Sequence, residues 1–180
     1  MGTRTLVDAS GPEIDLPEWQ IAVAYDDRSA RDRAMTLVHG LQGRFENELI
    51  LSCTWWKFRY LLDPDIALVA RHYAAAAHII VFATDAPGLF SLPVMNWIES
   101  WASTRDRTAG VLVPLMGSAN IPSQLYSTKH FYLRNVAERA GLDYLPHRML
   151  LEGMERLGAS QPSSREITTP NGSAALPAGN

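Results

Sequence analysis

Five short apolar runs alternating with amphipathic stretches predict an α/β protein: a three-layer sandwich around a five-stranded parallel sheet. The run "HIIVFATD" (78–85) is apolar almost throughout, as a strand covered on both faces must be. The stretch before it, "DPDIALVARHYAAAA" (63–77), carries a helix-start signal, so strand and helix are separated by their own punctuation. Length and the site-like loops after the first and third runs favour sheet order 2-1-3-4-5 over the Rossmann order.

The elements follow in order. "IAVAYDD" (21–27) is a β-rich run ending in two acids. Ser29 is placed to cap the first helix, with Asp32 three residues on as in a capping box. Ala30, Ala34, Leu37, Val38 and Leu41 then fall on one helical face. "ELILSCTWW" (48–56) is the second strand. Asp63 as N-cap and Pro64 at the first helical position open the second helix. After the third strand, Ser91 is placed to cap a helix whose Val94, Trp97, Ile98 and Trp101 share a face. "AGVLVPLMGS" (109–118) is the fourth strand, with Pro114 marking its end because a central strand needs every N–H. A helix over about 123–140 uses Leu125, Tyr132, Leu133, Val136 and Ala140 and stops at Gly141. "LDYLP" (142–146) is the fifth strand, and 147–157 has room for a last helical turn or two.

Residues 1–18 read as a loose leader, with a short strand at Thr5–Asp8, and 19–157 as the folded domain. The stretch 158–180 is rich in Ser, Pro, Gly and Asn and has too few large apolar residues to offset its ordering entropy, so it is expected to be disordered. The chain is 47% hydrophobic and 19% charged, the balance of a globular protein. A net charge of −3, with the cations scattered, argues against a nucleic-acid partner. No apolar run approaches a membrane span, and the lone Cys53 fits a reducing compartment, so a cytoplasmic location is expected.

In this topology ligands sit beyond the carboxyl ends of the strands, where the order reverses between strands one and three. The candidate residues there are Asp26, Asp27, Arg28 and Ser29, then Thr54, Trp55 and Trp56, then Thr84 to Phe90, and Gly117 with Ser118. Trp55 and Trp56 are read as core closure and surface cover, with stacking on a planar ligand as the alternative. The five His have no metal-ligand spacing, and Cys53, inside a strand, reads as a small core residue.

"FATDAPGLFSLPVMNWIESW" (82–101) resembles the strand-three loop and helix of NAD(P)H-dependent FMN reductases, members of the flavodoxin-like superfamily. Thr84 matches the family's loop Thr, and Asn96, Trp97, Ile98 and Glu99 match its helix. If flavin or phosphate binds, the resemblance implies Arg28, Ser29, Thr84, Asp85, Pro87, Gly88, Gly117 and Ser118 as the contacts. The family's flavin-facing Pro-Glu-Tyr is replaced here by Asp85-Ala86-Pro87, and its phosphate loop by Asp26-Asp27-Arg28-Ser29. A carboxylate about 4 Å from a phosphate charge costs on the order of 4 kcal/mol at an effective dielectric of about 20. An ordinary helix-dipole contribution is only about 0.3–1 kcal/mol. Repulsion wins unless the acids point away.

The acids also resemble those of bacterial receiver domains, in which a pair after strand one and an acceptor after strand three hold Mg²⁺. Asp26 and Asp27 match the pair and Asp85 the acceptor, while Ser118 lies near the family's hydroxyl position. The family's Lys before Pro is missing, since Leu145 precedes Pro146. Finally, "WWKF", "LPVMNWIESW" and "YLRNVAERAGLDYLPH" look like segments of a group of small bacterial proteins of no assigned function, a likeness that implies no activity.

The function expected from these readings is a non-catalytic module that has lost flavin binding and takes a protein or a small ligand. No cofactor is expected. The alternatives are an FMN-dependent NAD(P)H oxidoreductase and a divergent receiver-like domain with an acidic Mg²⁺ pocket. A homodimer through Trp97 and Trp101 stands beside their core reading.

Overall fold

The computed structural model describes residues 16–105, 109–117 and 123–146. The leader up to residue 15, Ser118, the turns expected at 147–157 and the tail at 158–180 lie outside these. The chain runs β1 (Glu18–Tyr25), α1 (Arg28–Arg44), β2 (Ile50–Lys57), a 3₁₀ turn (Phe58–Leu62), α2 (Pro64–Ala76), β3 (Ile79–Thr84), α3 (Leu92–Ala102), β4 (Val111–Met116), a second 3₁₀ turn (Ser123–Tyr126), α4 (Ser127–Arg139) and β5 (Asp143–Tyr144). The five strands form one all-parallel sheet in the order β2-β1-β3-β4-β5, the flavodoxin-like order. No helix among the described residues is long and apolar enough to cross a membrane.

Strand alternation divides the core into two layers. Ala22, Ala24, Ile80, Phe82 and Leu112 face α2, α3 and α4, where Val94, Trp97, Ile98 and Trp101 meet them. Ile21, Val23, Ile79, Val81, Val113 and Leu115 face α1 and its Ala30, Ala34, Leu37, Val38 and Leu41. The α1 and α3 stripes thus fall where their helical spacing placed them. Trp97 and Trp101 are core residues, 3% and 0% exposed, both against the Phe82 ring.

Pro114 does not end β4. It lies inside the strand, opposite Phe82. Asp143 N donates to Gly110 O and Leu145 N to Leu112 O, so the even-numbered residues of this segment direct their backbone polar groups toward β5. β5 pairs only with Val111 and Leu112. The side on which Pro114 lacks an N–H is therefore past the end of β5, and no ladder bond is lost.

The helix ends obey local chemistry. Asp63 Oδ1 accepts from Asp65 N and Ile66 N ahead of Pro64, as expected of an N-cap. The last carbonyls of α2 are taken up by Arg105, whose Nη1 donates to Ala75 O (3.0 Å) and Ala77 O (2.9 Å). α4 stops at Gly141, which has a φ of +65°. There Leu142 N donates to Ala137 O and Gly141 N to Glu138 O, a Schellman pair that seats buried Leu142 under the helix. Ser91 stands before α3 but makes no side-chain capping bond.

Candidate functional site at the strand ends

A crevice of about 310 Å³ opens beyond the carboxyl ends of β1 and β3, lined by Asp26, Phe58, Arg59, Leu62, Thr84, Ala86, Leu89, Phe90, Ser91 and Lys129. Its place is the switch point that the sheet order dictates: β1 and β3 are neighbours, while their following helices cover opposite faces.

The floor is Thr84, the last residue of β3 and fully buried. Its Oγ1 donates to Asp26 Oδ2 (3.2 Å) and accepts from Ala86 N (3.2 Å), joining the ends of both strands. Asp26 is further held by its own backbone N–H, which donates to Ala83 O at 3.1 Å. Gly117, just past β4, donates from its N–H to Thr84 O at 3.2 Å. Its φ is +99°, and a Cβ there would come within 3.2 Å of the Tyr126 ring, so both backbone and space favour glycine.

Asp27 turns away from the crevice. It is the N-cap of α1, in extended conformation, and its Oδ1 accepts from Ala30 N at 2.9 Å. This corrects the placement of the cap at Ser29, which lies one residue inside the helix. Asp is as good a cap as Ser, and the turn after β1 is short enough that Arg28 is already helical. One of the backbone donors at the head of α1, the Ala30 N–H, is thus occupied by the protein's own carboxylate. Arg28 reaches outward, its side chain 93% exposed and 3.9 Å from Asp32.

Asp85 is held by Arg33 rather than by the other acids. The guanidinium bridges it twice, Nη2 to Oδ1 at 2.6 Å and Nη1 to Oδ2 at 2.8 Å, and Nη1 also reaches Ser29 Oγ at 3.3 Å. The hydrogen bond from Arg33 holds the Asp85 carboxyl below its usual range, against the opposing effect of burial. Asp26, Asp27 and Asp85 therefore serve three separate partners: a threonine, a helix end and an arginine. Among the described residues no group of three His, Cys, Asp or Glu could hold a metal.

The loop after β3 is clamped onto the α4 side. Tyr126 OH donates to Asp85 O (2.9 Å), Lys129 Nζ to Ala86 O (2.6 Å) and Pro87 O (3.2 Å), and Gly88 N to Leu125 O (3.2 Å). Gly88 adopts a φ of +77°, which the reversal of the loop requires. Pro87 and Gly88 are exposed.

Lys129 and Tyr126 went unread in the sequence. Both lie on the stripe that continues through Leu133, Val136, Ala137 and Ala140, all buried. A cation one turn before Leu133 at a core position was the available signal. It was masked by taking Leu125, which is 51% exposed, as the start of the stripe. Lys129 is 2% exposed and sits 5.1 Å from the Phe90 ring centre. Desolvation pushes its pKa down, while Asp26 pulls it back up.

Trp55 and Trp56 do not line the crevice. They project to opposite faces of edge strand β2, Trp55 near Tyr25 and the Arg31 guanidinium and Trp56 against Tyr73. Thr54 Oγ1 accepts from Trp56 Nε1 at 3.1 Å. Cys53 is partly buried, and burial raises its thiol pKa, as expected of packing material rather than a nucleophile.

Compared with known proteins, the chain matches no family model and no curated protein.

Proposed function

We propose that this protein is a non-catalytic binding module on a flavodoxin-like frame, without flavin, whose strand-end crevice takes a small ligand. The observation that carries the reading is the capping of α1 by Asp27: its carboxylate takes the Ala30 N–H and puts a negative charge at the helix head, where a cofactor phosphate would otherwise sit. Two further features support it. Arg33 is committed to Asp85, and the carbonyls of the β3 loop are turned to Tyr126 and Lys129. The residues present do not fit the phosphate end of FMN. A cytoplasmic setting suits the single Cys53.

Titration of FMN with the purified protein, followed by flavin fluorescence, tests the reading. The expected result is no saturable quenching and a colourless protein. Saturable quenching at micromolar FMN would sink it and restore the oxidoreductase.

A further inference from the structure

We infer that the strand-end crevice binds a small organic monoanion with an apolar body, such as an arylalkyl or short aliphatic carboxylate, gripped through Lys129 and Arg59. This rests on the reading of the crevice as a flavin-free ligand site.

Thr84 and Lys129 are the buried polar side chains among the described residues, and both open onto this one crevice. A buried ammonium has three donors. Lys129 gives two hydrogen bonds to Ala86 O and Pro87 O, leaving a third N–H for an acceptor in the crevice. Arg59 adds a guanidinium at the rim, kept in place by its contact with Tyr60, where Nη2 donates to the hydroxyl at 2.6 Å. Asp26 is the one carboxylate in the lining, and one of its oxygens already accepts from Thr84. Two cations against one carboxylate leave a single positive charge, which sets the ligand charge at minus one.

Apart from Ser91 the remaining wall is apolar: Phe58, Leu62, Ala86, Leu89 and Phe90. Phe58 and Phe90 meet edge to face with centres 5.8 Å apart, a rigid surface for an aromatic or aliphatic group. A volume of about 310 Å³ lies at the lower end of ordinary ligand pockets, about 300–1,000 Å³, so the body must be small. The Asp26 carboxylate beside the cations disfavours a phosphate dianion.

The full chain is titrated with phenylacetate, its neutral amide phenylacetamide and the cation phenethylamine, following backbone amide shifts by NMR. Saturable phenylacetate binding is expected, with shifts centred on residues 58–62 and 84–91. The amide and the amine should bind at least roughly tenfold more weakly, the scale of a lost charge-assisted hydrogen bond. Lys129→Met should weaken phenylacetate by a similar factor. Because Lys129 also clamps the loop, Arg59→Gln at the exposed rim is the second variant, expected to weaken binding several-fold with the fold intact. No saturable phenylacetate binding in the millimolar range, equal binding of acid and amide, or an Arg59→Gln protein with unchanged affinity would each overturn the inference. FMN added to the same sample separates the two levels. If FMN and phenylacetate are both inert, only the ligand class falls; if FMN saturates, the flavin-free reading falls with it.

Discussion

Asp85 and Arg33 form a two-point ion pair that is largely shielded from water, and this is where single-residue electrostatics matter most. Removing the charge and one of the two acceptor oxygens by Asp85→Asn should destabilise by about 1.5–3 kcal/mol, the range for hydrogen bonds to charged groups. The pH dependence follows from the direction of its shift. The folded-state pKa of Asp85 lies below the unfolded value of about 3.9, so its contribution is fully present above roughly pH 4. It is lost as pH falls toward the lower folded-state pKa. Urea midpoints of wild type and Asp85→Asn should therefore differ at pH 7 and converge in acid. A gap that persisted at the lowest pH would assign the effect to packing instead.

At the scale of elements, the head of α1 and the buried face of α3 lead to separate expectations. Asp27→Ala should cost about 1 kcal/mol through loss of the cap, whereas Asp27→Asn, an equally good cap, should be nearly neutral. Thermal melts of the two variants distinguish a cap from a metal ligand, because Mg²⁺ should leave the melting temperature of wild type and both variants unchanged. In α3, Trp101→Ala should cost about 3–5 kcal/mol, since the ring is wholly buried against Phe82 and Trp97. A Trp101→Ala protein of wild-type stability would contradict its place in the core. Between α3 and α4, Glu99 accepts from Tyr132 OH and Arg139 Nη2, both at 2.9 Å, so the helices are tied by polar as well as apolar contacts. Burial and the Glu99 carboxylate together push the Tyr132 phenol well above its usual range.

For the molecule as a whole, β1, β3 and β4 contribute alternate side chains to both layers, so neither layer can melt while the other keeps its sheet. Tryptophan fluorescence, dominated by the α2–α3–α4 layer, and far-UV circular dichroism should trace one coincident urea transition. Separated midpoints would show that the layers are independent.

Most of the architecture was legible because it is local. The apolar 78–85 run, the Asp63-Pro64 start, the α1 and α3 stripes and the Gly141 stop each depend on residues within a few positions of one another. Periodicity and capping chemistry act over that range. The sheet order followed from length and loop character through general rules of connection.

The crevice was legible only in its location. Whether Asp26, Asp27 and Asp85 gather or disperse depends on Thr84, the α1 backbone and Arg33, partners lying anywhere from three to 58 positions away. Pro114 is tolerated because β5 is short, a property of another segment. Lys129 enters from α4, 43 positions from the carbonyl of Ala86 that it holds. A side chain's charge can be read along the chain, but its partner and its dielectric surroundings arise from which elements the fold brings together. The amino-acid order thus determined the sheet, the helices and the place of the cleft. Tertiary packing alone decided that its acids are separately bound and that a buried lysine lines the cleft.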